Sequence, residues 1–295
     1  MMETVNDVTV HSWSELQDEL FRDAWNTDIQ RFRSPFVYRG LSDRSYRLLT
    51  SLIRLDGEYQ RLEKHLLRSF RKYGADIATK CSSIWHLLTI AQHYGLPTRL
   101  MDWTYSPYVA LHFATANHEK FDLDGVIWVV NFQKAHLRLP EGLKSYLHAE
   151  GAQAFTVELL SVLFRGRDDD GCTTDDALFH DVIRSLEEFD QYKKYSEFLL
   201  FFEPPSMDER IVNQYALFSV MPNSRRAIDD WLEKHPELYR RIIIPAALKW
   251  EFRDKLDQCN ITERVLFPGL DGLSKYLRRY YSPKHGSDLI SGGDS

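Results

Sequence analysis

The chain has 295 residues, of which 43% are hydrophobic and 27% charged, and its formal net charge is −6. This composition supports a sizeable core in one large domain or two small ones, and the negative charge argues against a protein that coats nucleic acid, which would carry a basic footprint. Three scattered cysteines without metal-ligand spacing, the lack of a signal-peptide pattern and the lack of a long apolar run lead us to expect a soluble cytoplasmic protein.

Strands and single helices alternate in the first half of the sequence. The apolar spacing predicts strands at 8–10, 36–40 and 125–131, and helices through 16–21, at 58–73 and at 83–94, the first of them capped by Ser12 or Ser14. Side chains alternate between the two faces of a strand, so Phe36 and Tyr38 should share one face and Arg39 should lie on the other.

The stretch 91–114 combines the end of one helix, an extended run and the start of a second helix. Gly95 can take a positive φ and end the first helix, and Pro97 blocks its continuation. Ser106 is a favoured N-cap and Pro107 fits the first helical position, so a new helix should begin there. Junctions of this kind often carry functional sites, and the polar side chains at these junctions are Gln92, His93, Arg99, Asp102, Thr104 and Ser106.

The second half is less regular before it becomes rich in strands. We interpret 133–191 as an insertion of helical character with an exposed turn at 165–171. Strands are predicted at 196–202, 216–220 and 241–245, and helices after Asp208, at 248–256 and at 270–281. The prediction is a mixed α+β domain over 30–281, preceded by an extension at 1–29 and followed by a disordered tail at 282–295.

Three segments carry distinctive motifs in a fixed order. The first contains Tyr38-Arg39-Gly40, the second is the whole of 91–114, and the third, at 210–222, has an Arg-Ile…Gln…Phe pattern. Together they resemble the FRG domain, a bacterial family named for its Phe/Tyr-Arg-Gly motif. The second segment is similar to the family pattern almost throughout, and family members often have Gly where this chain has Tyr215 or Ala216. The resemblance extends over roughly residues 30 to 280.

The motif order is also similar to that of the ADP-ribosyltransferase fold. In that fold an early strand carries Arg or His before Gly, a second strand carries Ser, Thr or Tyr before a helix, and a late strand carries Glu or Gln. The corresponding residues here are Arg39, then Thr104 or Ser106, then Gln214. The resemblance implies a mixed, mostly antiparallel core of short strands with helical insertions.

The resemblance also implies a function. It points to an enzyme that uses NAD as a co-substrate, either transferring ADP-ribose to a protein or nucleic acid or hydrolysing NAD. A bacterial toxin or an antiphage defence effector would fit such an activity, with an antitoxin or a phage component as a partner and no membrane association.

NAD chemistry suits these residue types. Cleavage of the nicotinamide–ribose bond passes through an oxocarbenium-like state, so the site must hold a pyrophosphate and place an electron-rich group near the positive charge. An Arg before a Gly supplies a forked donor with room for close approach, and the start of a helix favours anions. We therefore expect catalytic roles for Arg39, Ser106 and Gln214. The expected NAD-binding residues are Tyr38, Arg39, Gly40, Gln92, His93, Arg99, Asp102, Thr104 and Ser106.

Alternatives remain open at several of these positions. Gln214 cannot act as a base, so Glu203 or Glu209 could take that role, or the protein could bind a nucleotide or a phage component without chemistry. Arg39 could be a structural ion-pair partner of Asp102, and Ser106 could be only a helix cap. A local basic groove for nucleic acid is a further alternative to a simple solvated face, and it would contain Arg31, Arg33, Arg39, Arg44, Arg47 and Arg54.

Overall fold

The computed structural model describes residues 6–56, 62–74, 81, 83–164, 186–194, 196–206 and 209–284. Some sequence predictions therefore lie outside the described residues: the beginning of the helix at 58–73, the turn at 165–171, the cap at Asp208 and most of the tail.

An eight-stranded sheet runs through the described residues in the order β1-β10-β6-β4-β5-β9-β8-β7. In chain order, the strands are β1 (Asp7–Thr9), β2 (Trp25–Asn26), β3 (Arg31–Phe32), β4 (Phe36–Leu41), β5 (Met101–Thr104), β6 (Gly125–Asn131), β7 (Phe155–Thr156), β8 (Leu200–Glu203), β9 (Ala216–Val220) and β10 (Tyr239–Ile244), with β2 and β3 forming a separate hairpin. The outer pairs β1–β10 and β7–β8 are parallel and the inner pairs are antiparallel. The predicted mixed, mostly antiparallel α+β architecture is confirmed.

In the described sheet, the two halves are joined by a single pair of backbone partners. β4 pairs with β6 from Phe36 to Leu41, and β5 pairs with β9 along its whole length. Between β4 and β5, in contrast, only Tyr38 and Thr104 are partners. The two strands therefore separate on one side of this pair and leave an opening in the middle of the sheet.

Helices cover the sheet and fill the connections. They are α1 (Trp13–Phe21), α2 (Glu63–Tyr73), α3 (Ile84–His93), α4 (Pro107–Ala114), α5 (Phe132–His136), α6 (Glu141–Ala149), α7 (Val157–Leu163), α8 (Glu209–Asn213), α9 (Ile228–Leu232), α10 (Lys249–Gln258), α11 (Glu263–Leu266) and α12 (Leu270–Tyr280), and residues 186–191 are helical as well. Short 3-10 turns lie at Ile53–Leu55, His118–Lys120, Tyr192–Lys194, Pro236–Leu238 and Ala246–Leu248. Every described helix is too short or too polar to span a lipid bilayer.

The predicted insertion is helical in its described part, but it also extends the sheet. Helices α5, α6 and α7 follow one another, and β7 lies between the last two and pairs in parallel with β8. A strand of two residues, Phe155 and Thr156, is too short to show a period of two in the sequence. This segment is therefore part of the main sheet through its edge strand.

Alternation along β4 places its side chains as predicted. Phe36 and Tyr38 are buried in one apolar cluster together with residues of α1, α4 and α10, while Val37 is buried in another cluster. Gly40 lies against α4, and a Cβ atom at this position would be 1.7 Å from the carbonyl oxygen of Ala110. The close backbone approach expected at Gly40 is therefore made by a helix of the protein itself.

Candidate functional site

A cavity of about 230 Å³ lies where β4 and β5 separate. The predicted site residues that line it are Tyr38, Arg39, Gly40, Gln92, His93, Asp102, Thr104 and Gln214. The remaining lining residues lie in the second and third motifs but were not predicted as site residues; they are Trp103, Phe113, Arg210, Ile211, Ala216 and Phe218. Two predicted residues, Arg99 and Ser106, are not among those that line this cavity.

Arg39 bridges the two halves of the sheet at this cavity. Its Nη1 donates a hydrogen bond to the backbone carbonyl oxygen of Asp102 at 2.5 Å and lies 3.8 Å from the Oδ2 atom of the same residue. Burial lowers the pKa of Arg39, and the nearby charge of Asp102 opposes that effect. The Nε atom is buried and has no hydrogen-bond acceptor among the described residues. Arg39 thus makes the structural pair with Asp102 and lines the cavity as well.

Asp102 is the carboxylate among the described lining residues, and a chain of hydrogen bonds orients it. The backbone N–H of Leu100 donates to Thr98 Oγ1 at 3.1 Å, and this hydroxyl donates to Gln92 Oε1 at 2.6 Å. Because Oε1 of Gln92 accepts this bond, its Nε2 faces Asp102 and donates a hydrogen bond to Oδ2 at 2.9 Å. The Asp102 side chain is 54% exposed. It therefore lies at the mouth of the cavity in a fixed orientation.

Thr104 and Gln214 use their side chains to hold the backbone around the cavity. Thr104 Oγ1 donates to the carbonyl oxygen of Gln214 at 2.7 Å and accepts from the N–H of Ser106 at 2.9 Å. Gln214 Nε2 donates to the carbonyl oxygen of Leu266 at 2.9 Å. These bonds connect β5 to the end of α8 and connect that end to α11.

The two glutamates considered for the third catalytic position lie in other places. Glu203 accepts a hydrogen bond from the hydroxyl of Tyr105 at 2.9 Å and does not line the cavity. Tyr105 is tilted against Tyr215, with ring centroids 5.0 Å apart. Glu209 lines a neighbouring cavity. The carboxylate that faces the cavity therefore comes from the strand of the second motif, at position 102.

Tyr215 has a backbone conformation that glycine adopts without strain. Its φ is 47°, in the left-handed region, and its side chain is exposed. The resemblance in the sequence places Gly at this position or the next in related chains. The backbone turn after Gln214 thus accounts for a small residue there, although this chain has a tyrosine.

Arg99 is held in a buried ion-pair cluster away from the cavity. Its Nε donates to both carboxylate oxygens of Glu63 at 2.9 Å, and its Nη1 pairs with Asp190. Burial acts to lower the pKa of Arg99, but the two carboxylates outweigh that effect and raise it. The pairing ties α2 and the helical residues 186–191 to the chain that leads into β5.

Ser106 is the N-cap of α4, in agreement with one of the two interpretations. Its Oγ accepts from the N–H of Val109 at 3.4 Å, and Pro107 follows in the first turn of the helix. The cavity is therefore lined by Arg39 and Thr104 of the predicted site, whereas Ser106 lies outside its lining.

Three of the six arginines of the alternative basic groove lie beside acidic residues. Arg44 pairs with Asp124 at 3.3 Å, and Arg39 lies near Asp102. Arg47 pairs with both Asp229, at 2.8 Å, and Asp230. These contacts neutralise much of the positive charge and favour a solvated structural role over a groove for nucleic acid.

A second cavity of about 490 Å³ adjoins the first, with His93 and Arg210 lining both. Its other lining residues are Glu209, Phe267, Pro268, Asp271 and Lys275. The Arg210 guanidinium lies 5.0 Å from the ring centroid of Phe267, and Lys275 Nζ lies 5.6 Å from it. The Arg-Ile…Gln…Phe pattern contained Arg210, so the sequence held a signal for it. Lys275, on the amphipathic α12, gave none.

Comparison with known proteins finds a family model that matches part of the chain. The model of the FRG domain matches residues 34–123, which include β4, α3, β5 and α4. The match thus covers the first two motifs and ends before the third, at 210–222. No curated protein and no solved structure matches the chain.

Proposed function

Residues 34–123 of this chain carry an FRG domain, and from this premise we propose that the protein cleaves the nicotinamide–ribose bond of NAD at the cavity between β4 and β5. The ADP-ribose is transferred to a protein or nucleic acid, or to water. The observation that carries the proposal is the presence of the Asp102 carboxylate and the Arg39 guanidinium at one cavity. The resemblance of the motif order to ADP-ribosyltransferases supplies the type of reaction.

The reaction balances without a further reactant. The bond between ribose C1′ and nicotinamide N1 breaks, and its electron pair leaves with the nicotinamide nitrogen. An acceptor hydroxyl forms the new bond to C1′ and releases its proton to solvent or to Asp102. Positive charge develops at C1′ between these events, and a carboxylate held nearby lowers its energy. Asp102 suits this role because Gln92 and Thr98 fix its orientation.

The size of the cavity decides which part of NAD it can take. Pockets for whole small-molecule ligands typically have volumes of about 300–1,000 Å³, and this one has about 230 Å³. We therefore assign the nicotinamide ribose end to it. Phe113 and Phe218 provide apolar wall for a planar ring, and Arg39 carries a buried Nε donor without an acceptor among the described residues.

The decisive experiment compares the wild-type protein with Asp102→Asn, which keeps the shape of the side chain and removes its charge. Purified protein is incubated with labelled NAD and cell extract, and both nicotinamide release and label transfer are measured. We expect activity in the wild type and a loss of about 100-fold or more in the variant. Asp230→Asn is the matched control because Asp230 pairs with Arg47 and does not line the cavity, so it should keep full activity.

A wild-type protein that neither releases nicotinamide nor labels any protein or nucleic acid would overturn this proposal. A biological role as a bacterial toxin or antiphage effector would add a second readout. Expression should then slow bacterial growth or phage replication, and Asp102→Asn should abolish the effect.

A binding module is the second candidate function, and the side chain of Gln214 favours it. Its amide donates to the Leu266 carbonyl oxygen, so this position supplies neither a negative charge nor a base. In that case the cavity recognises a nucleotide or a phage component and signals through a partner. Calorimetry separates the two candidates, because tight NAD binding without turnover supports the binding module and contradicts the enzyme.

A further inference from the structure

The cavity at Arg39 shares lining residues with the second cavity. His93 at the end of α3 and Arg210 in α8 line both. A third cavity, of about 420 Å³, shares Phe267 and Lys275 with the second and adds Arg278. Adjoining cavities thus extend from the small inner cavity toward α12, and they add volume for the parts of a dinucleotide that the inner cavity is too small to hold.

Two cations converge on one aromatic ring in this groove. Arg210 comes from α8 and Lys275 from α12, yet both lie within 5.6 Å of the ring centroid of Phe267. Both side chains are exposed. Two carboxylates, Glu209 and Asp271, line the same cavity, but among the described residues neither forms an ion pair with Arg210 or Lys275. Like charges held near each other in this way favour an anion that contacts both.

The other candidates for an anion site near the inner cavity are already committed. Arg39 donates to the backbone of Asp102, and a second negative group beside it would face the Asp102 carboxylate. The start of α4 does not line the inner cavity, and its cap is satisfied by Ser106. The phosphates of a ligand whose ribose lies in the inner cavity therefore have their nearest unpaired cations, among the described residues, at Arg210 and Lys275.

We infer that Arg210 and Lys275, which both lie within 5.6 Å of the Phe267 ring centroid, form a pyrophosphate subsite for a nucleotide whose ribose end occupies the inner cavity. This inference rests on the proposed function, because it names the part of NAD that lies outside the inner cavity. It predicts that the affinity for phosphate-bearing ligands depends on these two side chains, whereas the affinity for nicotinamide does not.

The test is a binding titration with inorganic pyrophosphate and with ADP-ribose, at low and at high salt, on the full chain. We expect the double variant Arg210→Gln with Lys275→Gln to bind both probes at least tenfold more weakly than the wild type, and with less dependence on salt. The control is Arg264→Gln with Lys255→Gln, which removes the same charge at positions that line none of the three cavities. Thermal melting verifies that each variant is folded.

Each outcome separates this inference from the proposed function. Equal affinities for the wild type and the double variant, or no binding of either probe to the wild type at low salt, would overturn the subsite. If the wild type cleaves NAD and the double variant has an unchanged KM, the subsite falls and the proposed function stands. If the probes bind through Arg210 and Lys275 but NAD is not cleaved, the subsite stands and the proposed function falls.

Discussion

The guanidinium of Arg39 on β4 donates to the backbone carbonyl oxygen of Asp102 on β5, where the two strands no longer pair. One side chain thus replaces a hydrogen bond of the sheet and lines the cavity that opens beside it. The structural and the ligand-binding interpretations of Arg39 are therefore compatible. A sheet opened at this point needs a long donor to join its halves, and Arg has both the reach and the fixed fork.

Replacing Arg39 with Gln should destabilise the protein as well as alter the cavity. The shorter side chain cannot span the gap, so the Asp102 carbonyl oxygen loses its donor. We expect the free energy of unfolding to fall by about 1–3 kcal/mol, as for a lost hydrogen bond to a charged group. Urea denaturation measures this. Arg44→Gln breaks a longer contact, between Arg44 Nη1 and the Asp124 carboxylate at 3.3 Å, and should cost about 1 kcal/mol or less. Equal losses in the two variants would therefore contradict the bridging role of Arg39.

The position of Gly40 gives a sharper packing prediction. A Cβ atom there would lie 1.7 Å from the carbonyl oxygen of Ala110 and 2.7 Å from the backbone nitrogen of Ala114. Gly40→Ala therefore requires α4 to move away from β4, and we expect a loss of about 3 kcal/mol or more. Gly142→Ala is the matched control, because its Cβ would meet nothing within 4 Å in α6. It should gain about 0.5–1 kcal/mol from helix propensity in the same denaturation experiment.

The sequence predicted the elements on either side of the cavity because each has a strong local signal. The Ser106-Pro107 start of α4 and the buried strand β6 follow from capping chemistry and apolar patterning, and both are confirmed. The pairing of strands depends on contacts between distant residues, so the opening between β4 and β5 could not be predicted. The short strand β7 was missed for the related reason that two residues show no period.

Residues of the site could be predicted where they lie in a sequence motif. They could not be predicted where the packing of distant segments determines which side chains line the cavity. Tyr38, Gln92 and Asp102 line the cavity, and each lies in a motif. Arg99 lies in the same motif but points to Glu63 and Asp190, which are remote in sequence and set its direction. Lys275 lies in no motif at all, and only the fold places α12 beside α8.

Gln214 offers a test of the third catalytic position. Motif comparison suggests that Glu would restore an acidic group there, but the amide Nε2 donates to the carbonyl oxygen of Leu266 at 2.9 Å. A carboxylate at this position would face that oxygen without a donor. We expect Gln214→Glu to lower the free energy of unfolding at pH 7 by about 1–3 kcal/mol and to leave NAD turnover no higher.

Gln214→Met separates the lost hydrogen bond from the added charge. It removes the donor without introducing a negative group, so its loss in urea denaturation should be smaller than that of Gln214→Glu. A Glu variant that is as stable as the wild type and cleaves NAD faster would place the third catalytic group at position 214.

The burial of His112 leads to a prediction of how the free energy of unfolding depends on pH. Its Nδ1 accepts from Arg253 Nη1 at 2.6 Å, and its side chain is 1% exposed. Burial, together with the charge of Arg253, lowers the pKa of His112 from 6.5 to about 3. Between pH 6.5 and about pH 3, the unfolded chain therefore binds a proton at His112 that the folded chain does not bind. The contribution of His112 is complete above pH 6.5 and decreases as the pH falls, by up to about 1.4 kcal/mol per pH unit.

His112→Asn tests this contribution because an amide oxygen can still accept from Arg253 but does not titrate. The measurement is the slope of the unfolding free energy against pH between 6.5 and 5. This range lies above the window of Glu263, whose buried carboxylate has its pKa lowered from 4.5 to about 2 by Arg279 against the effect of burial. We expect the slope to be smaller in the variant by up to about 1.4 kcal/mol per pH unit, which corresponds to one bound proton. An unchanged slope would mean that His112 is protonated in the folded protein.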